Sequence, residues 1–102
     1  MNDKIFGYVG LAKRAGKLSD GTDAVITSVR TNKAKLVILS QDASVATAKK
    51  VTDKCSYYKV RLITYGQMET LGNAVGREVA ACVSVNDKNF ADAVLAVINN
   101  VK

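Results

Sequence analysis

Leu36-Val37-Ile38-Leu39-Ser40 is the stretch on which the fold turns. An unbroken apolar run with β-branched residues and no polar alternation suits a strand covered on both faces. Helical patterns lie on either side of it. Upstream, Gly21 to about Asn32 carries Val25, Ile26 and Val29 at helical spacing, with Ala24 and Ser28 as small flanks and Asn32 as the stop. Downstream, the loop Gln41-Asp42-Ala43 leads to Ser44, a helix cap. The helix that follows runs to about Tyr58, with Ala48, Val51, Thr52, Cys55 and Tyr58 inward and Lys49, Lys50, Asp53 and Lys54 outward.

The alternation continues to both ends. Asp3 to Ala15 reads as a helix with Ile5, Tyr8, Val9 and Ala12 as its stripe, widened by Leu11 and Ala15. Gly7 and Gly10 imply close packing there, and Gly16 is a stop. Lys17-Leu18-Ser19 is a short strand and Val60 to Thr64 a third buried one. Gly66 opens a short helix bearing Met68, Leu71 and Val75. Glu78 to Val85 is the last strand. Asn86 or Asp87 caps a final helix with Phe90, Ala91, Val94, Leu95 and Ile98 on one face, continued by Val101. Strands alternating with helices predict an α/β fold with a parallel or mixed central sheet covered on both faces. With no Pro and no long loop in 102 residues, one domain is expected over 1–102.

Composition narrows the function. Lys and Arg number 15 against 9 Asp and Glu, so the net charge of +6 favours a polyanionic partner. The chain has no His, the commonest general base and metal ligand. Cys55 and Cys82 stand far apart, so zinc spacing and a disulfide framework are not expected; both read as core thiols of a reducing cytosol. No metal, cofactor, secretion signal or membrane span is expected, and a cytoplasmic location follows.

Three motif matches fail on context. Gly16 to Gly21 imitates the front of a P-loop, but Thr22 stands where the Lys belongs. Ser56-Tyr57-Tyr58-Lys59 fits SxxK without its partner motifs and reads better as a helix end. Asp42 follows a buried strand as a phosphate acceptor does, but lacks the acidic pair such a site needs. No matched acid and base emerges, so a binding protein is expected and not an enzyme. The lysines of the third helix read as a solvated face, because its apolar side is too small to serve both the core and a membrane.

The candidate binding element is Gly16-Lys17-Leu18-Ser19-Asp20-Gly21-Thr22-Asp23-Ala24-Val25. Asp20 or Ser19 is expected to cap the second helix, with Asp23 as a capping-box carboxylate. A helix start offers unpaired N–H groups and partial positive charge, Gly21 lets another backbone approach, and Lys13, Arg14 and Lys17 add full charges. RNA phosphate or base edges suit that chemistry.

Leu11-Ala12-Lys13-Arg14-Ala15-Gly16-Lys17, then Gly21-Thr22-Asp23, then Lys33 through Ser44, Thr52-Asp53-Lys54-Cys55 and Leu71 through Arg77 follow in a distinctive order. The whole chain resembles the L-seven-Ae/L-thirty-e family of ribosomal and RNA-scaffold proteins, specifically its small bacterial branch. The resemblance implies a three-layer α/β/α sandwich around a mixed four-stranded sheet. It also implies a structured RNA partner, either a kink-turn or ribosomal RNA, and association with the ribosome. Regular A-form RNA closes its major groove to side chains, and a kink opens it. By position, the RNA-binding residues are Lys17, Ser19, Asp20, Gly21, Thr22, Asp23, Ala24 and Thr27, with Arg77, Glu78, Val79 and Ala80 as the loop over the protruding nucleotide. That loop also reads as a plain strand entry with a buried Val. Asp23, Ala24 and Thr27 stand where kink-turn binders often carry Asn or Lys, Glu or Gln, and Lys. The substitutions move affinity from side-chain readout towards backbone N–H groups, Lys17 and the basic flank. The competing expectations are a protein-interaction module that has lost specific RNA readout and a small-molecule-binding α/β domain.

Overall fold

The computed structural model describes residues 3–100, so the expected continuation of the last helix at Val101 lies outside the described residues. Nine elements follow one another: α1 (Lys4–Arg14), β1 (Leu18–Asp20), α2 (Thr22–Arg30), β2 (Leu36–Leu39), α3 (Val45–Tyr58), β3 (Leu62–Thr64), α4 (Met68–Ala74), β4 (Cys82–Val85) and α5 (Lys88–Asn100). The strand order is β1-β4-β2-β3. β4 is antiparallel to both β1 and β2, whereas β2 and β3 run parallel, so the sheet is mixed.

β2 shows why an apolar run with no alternation was needed. Its four residues are all buried, and successive side chains point to opposite faces. Leu36 and Ile38 join a core with Ile5, Val9, Leu71 and Val94, contributed by α1, α4 and α5. Val37 and Leu39 join a second core with Val25, Val29, Val51 and Cys55, contributed by α2 and α3. The three layers of the sandwich are these two helical groups and the sheet between them. Each fully buried aliphatic side chain contributes about 1.5–3 kcal/mol.

Local signals place the helix ends. Gly16 (φ 73) takes the left-handed position after α1, and the Lys17 N–H then reaches the Ala12 carbonyl at 2.8 Å. Asn32 (φ 65) does the same after α2, where the Lys33 N–H reaches Ser28. Asp3 caps α1 through the N–H groups of Ile5 and Phe6, and its other oxygen accepts the Tyr65 hydroxyl at 2.6 Å. That hydrogen bond holds the Tyr65 hydroxyl pKa up, to about 12. Cys55 and Cys82 are buried free thiols whose pKa burial pushes up to about 11.

Several expectations are corrected. The last strand begins at Cys82 and not at Glu78. Residues 78–81 instead lie as a loop on α4, because a Cβ on Gly72 would come within 2.6 Å of Val79 Cα and the Ala80 N–H donates to the Met68 carbonyl. β3 is shorter than Val60 to Thr64 and, at the sheet edge, only half-buried. β1 is displaced by one residue, to Leu18–Asp20. Leu11, Ala15 and Thr52 are exposed rather than inward. Gly10 packs closely, 3.3 Å from the Ala74 carbonyl to an added Cβ, but Gly7 faces open space.

Candidate nucleic-acid interface

α2 begins without a side-chain cap, contrary to the expectation for Asp20 or Ser19. The reason is local. Gly21 is the N-cap residue, at φ 91 and ψ 152, a conformation only glycine takes without strain. Its N–H extends the β1–β4 ladder to the Cys82 carbonyl at 3.1 Å, and its carbonyl accepts the first helical bond from Val25. Asp20 therefore sits outside the cap position. Its carboxylate accepts from Lys13 Nζ at 3.0 Å and Arg77 Nη1 at 3.2 Å. Ser19 turns inward to the Ser28 hydroxyl at 2.7 Å. The N3 position is Ala24, so no capping box forms, and Asp23 is an exposed carboxylate in the first turn. Among the described residues, the N–H groups of Thr22, Asp23 and Ala24 have no acceptor.

Asp23 and Ala24 of this bare start line a groove of about 840 Å³ between α2 and β1, whereas Asp20, Gly21 and Thr22 stand outside its lining. Lys17, Ser19, Asp23, Ala24 and Thr27 all line it, so five of the expected residues meet in one depression. Ser28, Thr31, Lys33, Lys35 and Asn86 also line it and were not foreseen. Thr31 continues the helical spacing of Asp23 and Thr27, which was a legible signal. Lys33 reaches the groove through the turn that ends α2, and Lys35 and Asn86 through the sheet pairing. The floor is a hydrogen-bonded chain in which Asn86 Nδ2 donates to Ser19 Oγ at 3.0 Å and Ser84 Oγ donates to Asn86 Oδ1 at 3.0 Å. On the rim, Lys17, Lys33 and Lys35 make no ion pair among the described residues, and Asp23 is the one carboxylate in the lining. The net charge of the rim is positive.

The second expected segment is adjacent to the first. The Arg77 N–H donates to the Gly72 carbonyl past the end of α4, and the guanidinium reaches Asp20 across 57 residues of sequence. An added Cβ on Gly21 would stand 3.0 Å from Arg77 Nη1, so the two segments touch. Val79 is 54% exposed, which overturns its reading as a buried strand residue. Glu78 is exposed as well, whereas Ala80 is 3% exposed and belongs to the core, so its side chain is not part of the surface. The site is thus a basic groove, an uncapped helix start and a loop that offers Arg77 and an apolar Val79. No helix of the described residues is long and apolar enough to cross a membrane.

The mixed sheet sandwiched by helices is also what the comparisons recover. The chain belongs to the ribosomal protein L7Ae/L30e/S12e/Gadd45 family, whose model matches residues 3–95. It is 45% identical over 94 residues to the RNA-binding protein YlxQ of Bacillus subtilis (strain 168), covering 92% of this chain and 94% of that one. A solved protein with unknown function from Bacillus halodurans superposes with a TM-score of 0.91 at 34% identity, over 97% of this chain and 100% of the other. The Giardia lamblia 15.5kD RNA binding protein superposes with a TM-score of 0.80 at 18% identity, over 99% of this chain and 90% of the other, which shows a shared fold.

Proposed function

We propose that this chain binds structured RNA, and that the groove beside the α2 start receives a sharply bent segment of the kink-turn kind, with ribosomal RNA as the target class. The carrying observation is the uncapped start of α2, whose residues Asp23 and Ala24 line a groove rimmed by Lys17, Lys33 and Lys35. The N–H groups of Thr22, Asp23 and Ala24 suit phosphate or base acceptor atoms. Asp23 accepts hydrogen bonds only, so it suits a guanine or cytosine amino group. Ala24 adds no side-chain readout but leaves the backbone open to close approach. Val79 suits contact with an unstacked base, and Arg77 is neutralised by Asp20 in the free protein. Membership of a ribosomal protein family and the likeness to a protein named RNA-binding support the same reading.

The test is the affinity for a kinked RNA against a straight duplex of equal length, for the wild type and for Ala24→Leu. Ala24 is exposed on a helix, so a leucine there blocks the groove mouth without straining the fold. Gly21 is a poorer probe, because its positive φ makes any substitution a folding defect as well. The expected result is tighter binding to the kinked RNA, lost in Ala24→Leu at unchanged melting temperature. Equal affinity for both RNAs, with Ala24→Leu silent, contradicts the proposal.

A further inference from the structure

α3 carries a second surface that the groove does not explain. From Lys49 to Arg61 the chain holds Lys49, Lys50, Lys54, Lys59 and Arg61 against the single carboxylate of Asp53. Lys49 Nζ occupies that carboxylate at 2.9 Å. Lys50, Lys54, Lys59 and Arg61 make no ion pair among the described residues. Lys50 and Lys54 stand four apart, a like-charge spacing that opposes helix formation. Neither lies in the last turn, so the helix dipole does not account for them. Lys59 occupies the left-handed position after the helix (φ 60), where Gly or Asn fits more easily.

Tyr57 stands three residues beyond Lys54 and seven beyond Lys50, on the same helical face. It is 78% exposed, although an aromatic ring gains most from burial. Its neighbour Tyr58 is partly buried and packs on the core shared by α2 and α3. The two rings meet edge to face, 4.9 Å between centroids at 78°. Tyr58 therefore buttresses Tyr57, which presents its ring to solvent on the helical face that carries Lys50, Lys54 and the Lys49–Asp53 pair.

We propose that this surface is a second nucleic-acid contact that takes an unpaired RNA strand, one base stacking on Tyr57 while Lys50, Lys54, Lys59 and Arg61 hold the flanking phosphates. Stacking plus backbone charge is the chemistry of sequence-tolerant single-strand binding. A duplex hides its base faces within the stack, so the exposed ring selects for unpaired strand. α3 packs over β2 and the far edge of the sheet, whereas the groove lies at β1, and no residue of α3 lines it.

The experiment is titration of the full chain with a short labelled oligouridine, read by fluorescence anisotropy over a series of salt concentrations. Saturable binding is expected, weakened on the order of tenfold in Tyr57→Ala and retained in Tyr57→Phe, which keeps the ring. The Lys50→Ala/Lys54→Ala variant is expected to flatten the salt slope by about 1.4, from about 0.7 per phosphate on single strands. An unlabelled kinked duplex should not displace the oligouridine. Absence of saturable binding, an effect of Tyr57→Phe as large as that of Tyr57→Ala, or full displacement by the kinked duplex would overturn the proposal. The oligouridine readout is independent of whether the groove binds kinked RNA.

Discussion

The start of α2 and the starts of the other helices solve the same problem in opposite ways. Asp3 caps α1, Ser44 accepts from the Thr47 N–H in α3, and Asp87 accepts from the Phe90 N–H in α5. α4 is served from elsewhere, with the Met68 N–H donating to Asp42 Oδ1 at 2.7 Å. α2 has no such partner, although Ser19, Asp20 and Asp23 surround it. Those side chains are turned to Ser28, to Lys13 and Arg77, and to solvent. Four helix starts stabilise the fold; the fifth is left uncapped where the groove and the lysines converge.

The contrast has an energetic scale, and substitutions can break it on either side. Asp3→Ala should have the largest effect, about 2–3 kcal/mol of unfolding free energy, because it removes a cap and leaves the half-buried Tyr65 hydroxyl without its acceptor. Urea denaturation measures this, and a loss below 1 kcal/mol would show that the cap is dispensable. Gly21→Ser is the sharper probe. At an ordinary N-cap, Ser matches or exceeds Gly, yet at φ 91 it should cost about 1–2 kcal/mol. A neutral or stabilising Gly21→Ser would mean that α2 is an ordinary helix start. Ser44→Ala should cost about 1 kcal/mol in the same assay.

Alkaline pH tests the buried side of the same contrast. Tyr65, Cys55 and Cys82 all have folded-state pKa values raised above their ordinary ones, to about 12, about 11 and about 11. Their neutral forms favour the folded state, so this contribution is complete below about pH 9 and is lost as pH rises from there through about 12. Melting temperature should therefore hold steady from neutral pH to about 9 and fall above it. Replacing Tyr65 with Phe should reduce the part of that fall that lies above pH 10. The smallest effect belongs to the surface. Removing the exposed Lys49–Asp53 pair should leave the melting temperature nearly unchanged, with any small loss shrinking further in high salt.

What the sequence shows and what it hides divide along the same line. β2, the helical stripes apart from Leu11, Ala15 and Thr52, and the caps at Ser44 and Asp87 are local patterns, and each is where its periodicity or turn chemistry puts it. The last strand is misread because Glu78 to Ala81 is held on α4 by contact with Gly72, a packing event with no local signature. The capping expectation for Ser19 and Asp20 fails because Gly21 takes the cap position, and what holds their two side chains elsewhere is mostly distant in sequence. Their partners Ser28, Asn86 and Arg77 lie 9, 67 and 57 residues away, and only the folded chain brings them near. Lys17, Ser19, Asp23, Ala24 and Thr27 are legible as neighbours in one groove because helix and strand register align them. Asn86 completes it through the β1–β4 pairing and Lys35 through the β2–β4 pairing, which no stretch of sequence spells out.

The most direct measurement is a titration of the isotope-labelled chain with kinked RNA, following backbone amide shifts residue by residue. If the uncapped helix start is the RNA contact, the amides of Thr22, Asp23 and Ala24 shift most and become protected from exchange, with Arg77 and Val79 moving alongside them. The capped starts of α1, α3 and α5 stay in place. Large shifts confined to α1, α4 or α5, with Thr22 to Ala24 unmoved, would contradict the account.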